Sequence, residues 1–229
     1  MIIIRSFLIA ICLTMFLIPL GYAEDLSNYR NFHLGMNLAA VAKQANIEAS
    51  EARSICLRPA LIQELQWQSW SPSSSSPQTD PVKEILFDFY NGELYRIFVS
   101  YDRDRTNGLT DEDLIEGISA KYGTPKRPAA TISIYSSSHI YSQDEKVLAR
   151  WEDAQYSLSF IRLSYQSIPA MVILSKRLEQ LAHTAMGEAV RLDQQEAPQR
   201  EIDHQKKLAA EKRDAEQKAR PANKANFRP

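Results

Sequence analysis

Two runs rich in aromatic and β-branched residues, 84–90 and 93–101, are separated by nothing but Asn91-Gly92. Asn and Gly both tolerate positive φ, which a two-residue type I′ turn requires at both central positions, so the pair predicts a tight antiparallel hairpin. A two-residue loop also sets the register, with Tyr90 opposite Glu93 and Phe89 opposite Leu94. Strict alternation from there assigns Ile85, Phe87, Phe89, Leu94 and Phe98, together with Arg96, to the core-facing side. Asp88, Tyr90, Glu93, Tyr95 and Tyr101 fall on the other, amphipathic side.

The flanking sequence reads as helix followed by strands, twice. Leu38, Val41, Ala42 and Ala45 recur at the spacing of one helix face, with Gly35 and the capping residue Asn37 ahead of them. Thr110 opens a second helix, and Asp111, Glu112 and Asp113 sit where the positive end of the helix dipole favours carboxylates. Its apolar stripe is Leu114, Ile115, Ile118 and Tyr122, and Gly123 followed by Pro125 stops it. Further strands are expected at 61–70, 131–135, 147–151, 156–165 and 170–174, with the polar turn Glu152-Asp153-Ala154-Gln155 between two of them. The Ser- and Pro-rich stretch 71–81 is a loop without side chains for a core. These elements predict an α+β fold: antiparallel strands in one continuous sheet or in two helix-plus-sheet units (30–105 and 106–175), helices packed on one face, and a C-terminal helical arm.

The N-terminus indicates where the chain works. Arg5 precedes an apolar run, 6–20, and Gly21-Tyr22-Ala23 places small residues at −3 and −1 of a cut before Glu24, the build of a cleaved secretory signal over residues 1–23. The run is short for a membrane anchor, which needs about 18 to 20 apolar residues. No integral membrane insertion is expected once it is removed, and the mature chain is expected in the periplasm or secreted. Cys12 leaves with the signal. Cys56 is then alone, which rules out an intramolecular disulfide, and burial as a small hydrophobe is its expected fate.

Charge divides the mature chain. Residues 24–175 carry 14 Lys and Arg against 19 Asp and Glu, whereas 176–229 carry 12 against 9. Leu178, Leu181, Ala182, Ala185, Met186, Ala189 and Leu192 repeat at helical spacing and form a stripe suited to docking on the sheet. Large hydrophobes are scarce beyond it, so the globular part is assigned to 24–192 and a polar helical or disordered arm to 193–229. Pro198 is expected to interrupt or kink the helix. The arm carries no persistent heptad seam, which favours a solvated helix over a coiled coil.

Chemistry-bearing patterns are sparse. The chain has no G-x-S-x-G, H-E-x-x-H, S-x-x-K or Gly-rich phosphate loop, and the histidines at 33, 139, 183 and 204 lack metal-ligand spacing. Asp102, Asp104 and Asp113 stand at the first, third and twelfth places of a calcium-like loop. Gly108 is one place late, however, and Arg103 and Arg105 oppose a cation. The segment is read instead as a strand-to-helix turn whose arginines pair with Asp102 or Asp104. No catalytic, cofactor-binding or metal-ligating residue is assigned, and no cofactor is expected. The interleaved charges and the lack of stacking aromatics in the arm argue against nucleic acid.

Four segments carry a resemblance: Phe89-Tyr90-Asn91-Gly92, the run from Tyr101 to Thr110, the run from Arg191 to Glu201, and Asn226-Phe227-Arg228-Pro229. Together they resemble an uncharacterised family of exported proteobacterial proteins, which brings no activity with it. More loosely, Gly35-Met36 before a helix and the helix-then-sheet order resemble small periplasmic α+β modules of the outer-membrane assembly lipoprotein and β-lactamase-inhibitor-protein type. That likeness implies a binding module rather than an enzyme, with an envelope protein or other macromolecule as partner. The alternatives are a hydrolase whose site is assembled only by folding and a calcium-dependent binding protein.

Overall fold

The structure is a computed structural model and describes residues 24–55, 61–69, 80–136, 139–164, 167–226 and 228. The expected signal 1–23, Cys56 and residues 71–79 of the Ser/Pro loop lie outside the described residues. A small hairpin, β1 (Asn28–Tyr29) and β2 (Phe32–His33), precedes α1 (Leu38–Ala45) and one 3-10 turn (Ala49–Glu51). Strands β3 (Arg53–Ser54), β4 (Ile62–Gln68), β5 (Val82–Tyr90) and β6 (Glu93–Tyr101) follow. The second half runs α2 (Asp111–Tyr122), β7 (Thr131–Ser136), β8 (His139–Glu152), β9 (Tyr156–Leu163) and β10 (Ile168–Ser175), and α3 (Lys176–Asn226) ends the chain. The strands from β3 onward form one eight-stranded sheet, ordered β3-β4-β5-β6-β10-β9-β8-β7, with every neighbouring pair antiparallel. Each half is therefore a helix and a four-strand meander. The halves meet at β6 and β10, so the sheet is continuous.

Local chemistry fixes the ends of these elements. The Asn37 side chain accepts from the Ala40 N–H at 2.8 Å and starts α1. Thr110 and Asp113 cap α2 reciprocally: the Thr110 hydroxyl oxygen accepts from the Asp113 N–H at 3.2 Å, and the Asp113 carboxylate accepts from the Thr110 N–H at 2.8 Å. Asn91 and Gly92 take φ of 49° and 81°, as the two-residue turn demands. Gly35, at φ 91°, lets the chain run back beside that turn, where its N–H donates to the Leu94 carbonyl at 2.7 Å.

The two faces of the sheet differ. One buries Leu65, Ile85, Phe87, Phe89, Phe160 and Met171 against β1, β2, α1 and α2. The other carries Leu86, Phe98, Val147, Ile161 and Val172 in one cluster and Ile62 and Tyr95 in a second, the latter covered by Leu178 and Ala182 of α3. Fully burying one such aliphatic or aromatic side chain contributes about 1.5–3 kcal/mol.

The hairpin keeps its expected register at the turn and then departs from simple alternation. Phe89 opposes Leu94, but Asp88 opposes Arg96, which leaves Tyr95 as the extra residue of a β-bulge. The bulge reverses the parity of β6. Ile97 and Val99 consequently join Leu94 in the core beneath α1 and α2, while Phe98 belongs to the cluster on the opposite face. Arg96, paired with Asp88, also lies opposite its expected side, and Tyr101 packs against the core that alternation denied it.

Helix α3 also differs from expectation, running unbroken through Pro198 and Pro221. Proline removes a backbone N–H and crowds the preceding turn. Here Arg200 bridges the site, donating to the Asp193 carboxylate and to the Asp193 carbonyl, both at 3.0 Å. Leu181 of the expected docking stripe is 41% exposed; Leu178, Ala182 and Ala189 are the buried members.

Candidate functional site

The strand registers place Arg53, Glu64, Asp88 and Arg96 side by side across β3, β4, β5 and β6. Glu64, Asp88 and Arg96 are all buried, and Arg96 Nε donates to Asp88 Oδ2 at 2.6 Å. From α3, Glu179 brings a third carboxylate, whose electrostatic influence reaches both members of the pair. Asp88 Oδ1 and Glu179 Oε2 are buried without a hydrogen-bond partner among the described residues. Burial first, then Glu64 and Glu179, push the Asp88 carboxyl up to about 6 against the pull of Arg96. Burial works against the charge on Arg96, but Asp88, Tyr95 and Glu179 together outweigh it and hold the guanidinium above its ordinary value. This arrangement lets the seat of α3 take up a proton.

Beyond that seat α3 leaves the body. No described residue after Ala189 is buried, although the helix continues to Asn226. At 1.5 Å per residue its 51 residues extend about 75 Å. Ion pairs along its own surface, such as Arg191–Glu188, Arg200–Asp193 and Lys207–Glu211, decorate the exposed turns. Val190, Ile202 and Leu208 are each about half exposed. At 3.6 residues per turn Val190 and Leu208 share one face and Ile202 lies a third of a turn away, so they form separate contact points rather than a seam.

The residues singled out from sequence are dispersed. His33 is exposed on β2 and lies 3.0 Å from the Asn28 side chain; His183 and His204 are exposed on α3. His139 begins β8, its side chain outside the described set, as is Cys56. Among the described residues no group of three His, Cys, Asp or Glu is placed to hold a metal ion.

The Asp102 to Asp113 loop is held by its own backbone. Asp102 Oδ1 accepts from the N–H groups of Asp104 at 2.9 Å and Arg105 at 3.2 Å. The arginine pairing expected there differs, because Arg105 Nη1 donates to the Asp80 carbonyl at 2.9 Å. Asp111 reaches across to Arg162, whose Nε donates to its carboxylate at 2.8 Å.

Concavities among the described residues include two that bear on function. A polar one of about 450 Å³ lies at the sheet edge between the 3-10 turn and β4, lined by Glu51, Arg53, Glu64, Gln66 and Trp67 among others. A mainly apolar one of about 560 Å³ lies between α2 and the sheet. The charged row and this apolar cavity were both missed from sequence. The available signal for the row was an acid and a base, Asp88 and Arg96, flanking the turn at positions that pair only if one residue bulges.

Compared with protein-family models, with curated proteins and with solved structures, the chain finds no match. No described helix is long and apolar enough to cross a membrane.

Proposed function

We propose that the protein is an exported binding module whose α+β body holds out α3 as a contact arm for an envelope protein or another macromolecule. The observation that carries this reading is the length of helix beyond Ala189 that buries nothing in its own body while holding Val190, Ile202 and Leu208 in solvent. A helix of this kind gains little stability from its own tertiary structure. Its apolar points become useful when a second surface covers them. The helix-then-sheet order agrees with the looser likeness to periplasmic binding modules. Export rests on the signal-like composition of residues 1–23.

Site-specific photo-crosslinking in intact cells tests the arm. A photoreactive residue at 202 or 208 should yield discrete adducts that disappear when Val190, Ile202 and Leu208 are changed to Glu. Adducts insensitive to those changes, or none from either position, would sink the reading. Mass measurement on envelope material should find a chain beginning near Glu24, and a full-length cytosolic product would remove the export half of the proposal.

A further inference from the structure

Helix α2 packs on the sheet through Ile115 and Tyr122, which are buried, and stands away from it on its other side. The space left is the cavity of about 560 Å³, lined by the half-buried Tyr101, Leu114 and Ile118 and by Gly117, with the buried Phe160 and Met171 beneath. Its volume and mainly apolar lining are those of a small-molecule site. Its wall is informative. Glycine weakens a helix interior relative to alanine, yet a Cβ built at Gly117 meets no atom within 4 Å. Packing within the protein therefore leaves the space beside this turn of the helix open to a ligand.

The mouth carries both signs, and the cation among them without a carboxylate in direct contact is Arg105. Arg105 and Lys121 both line it, with Leu109 about half exposed. The polar partner of the Arg105 guanidinium among the described residues is a carbonyl, that of Asp80, so its positive charge is not neutralised by direct contact with a carboxylate. Lys121 pairs with Glu24 at 3.1 Å in a half-exposed setting. The one acid lining the mouth, Asp113, is engaged by the N–H and hydroxyl of Thr110, each at 2.8 Å.

We propose that this cavity binds a single-chain amphiphile with an anionic head, an aliphatic carboxylate, its chain lying over Tyr101 and Ile118 against Gly117 and its carboxylate meeting Arg105. The site lies on the opposite face of the sheet from the seat of α3, so it goes beyond the proposed arm function and is tested independently of it.

Calorimetric titration of the full chain with dodecanoate and dodecyltrimethylammonium, each below its micelle concentration, and with dodecanol below its solubility limit, tests the proposal. Dodecanoate should bind saturably at one site, at least tenfold tighter than the ammonium amphiphile. Gly117→Leu places a side chain in open space on a helix, so it should keep or raise the melting temperature while weakening dodecanoate at least tenfold. Arg105→Gln should weaken dodecanoate by about tenfold, the scale of one charge-assisted hydrogen bond, and leave dodecanol unchanged. Absence of saturable dodecanoate binding, equal affinity for the cationic amphiphile, or undiminished binding to a folded Gly117→Leu variant would each overturn it.

Discussion

Beneath α1 and α2 the sheet buries a broad apolar surface, whereas beneath α3 the same strands bury Glu64, Asp88 and Arg96 beside Ile62 and Tyr95. Apolar burial is non-directional and roughly proportional to area, so the first face tolerates small shifts of its helices. The second does not. Three carboxylates surround one guanidinium there, and a helix that moves away admits water to charges otherwise excluded from it. The first four turns of α3 are therefore held by geometry and protonation as well as by area.

The largest expected effects set the faces against each other. Phe87→Ala, a cavity under α1, should destabilise by about 3–5 kcal/mol with little dependence on pH. Arg96→Met leaves Asp88 buried without its cation and should lose a similar amount, about 3–5 kcal/mol at neutral pH, and less in acid. Urea unfolding of both variants at pH 7 and pH 5 measures the contrast. An Arg96→Met loss that is the same at both pH values would erase it.

The next effect belongs to Asp88 itself. Its carboxyl titrates near 6 in the folded protein, raised from an ordinary 3.8. The folded state therefore binds its proton more tightly than the unfolded chain, and this contribution to stability is fully present below about pH 3.8 and lost as pH rises through about 6. Between those limits it amounts to about 3 kcal/mol. Asp88→Asn should abolish that component, read as the difference between wild-type and variant stability across pH 4 to 8; parallel curves would show that Asp88 does not titrate in this window.

Smaller effects sharpen the same contrast at the helices. Thr110→Ala removes the side-chain cap of α2 and should cost about 1 kcal/mol in thermal unfolding. Truncation after Ala197 removes exposed turns of α3 and should change body stability by less than about 0.5 kcal/mol, the scale of surface changes. A large loss on truncation would mean that the outer helix packs on the body, contrary to its exposure.

What could be read from sequence was what depends on neighbours in the chain. Asn91-Gly92, the Asn37 and Thr110 caps and the Gly123 stop act within a few residues, and each is found where its local chemistry places it. The face of Arg96 was not legible, because one extra residue at Tyr95 reverses every later position in β6. The row from Arg53 to Arg96 depends on the β4–β5 register across a long connection, which no short-range pattern specifies. Pro198 misled as well, because α3 runs on through it although proline is read from sequence as a breaker. The apolar cavity was hidden for another reason: the α2 stripe announced a packed helix, and only its stand-off from the sheet shows that Gly117 faces open space.

The meeting of β6 and β10 has a kinetic consequence. Most neighbouring strands in each meander are close in sequence, but Ser100 pairs with Ala170 across about seventy residues. Closing so long a loop is entropically slower than zipping a hairpin, which makes this central seam a late event in folding. Helix α3 follows β10 and contacts both β10 and β6, so its docked turns span the seam. Because α3 follows β10 in the chain, it latches this long-range pairing only once the seam it spans has formed.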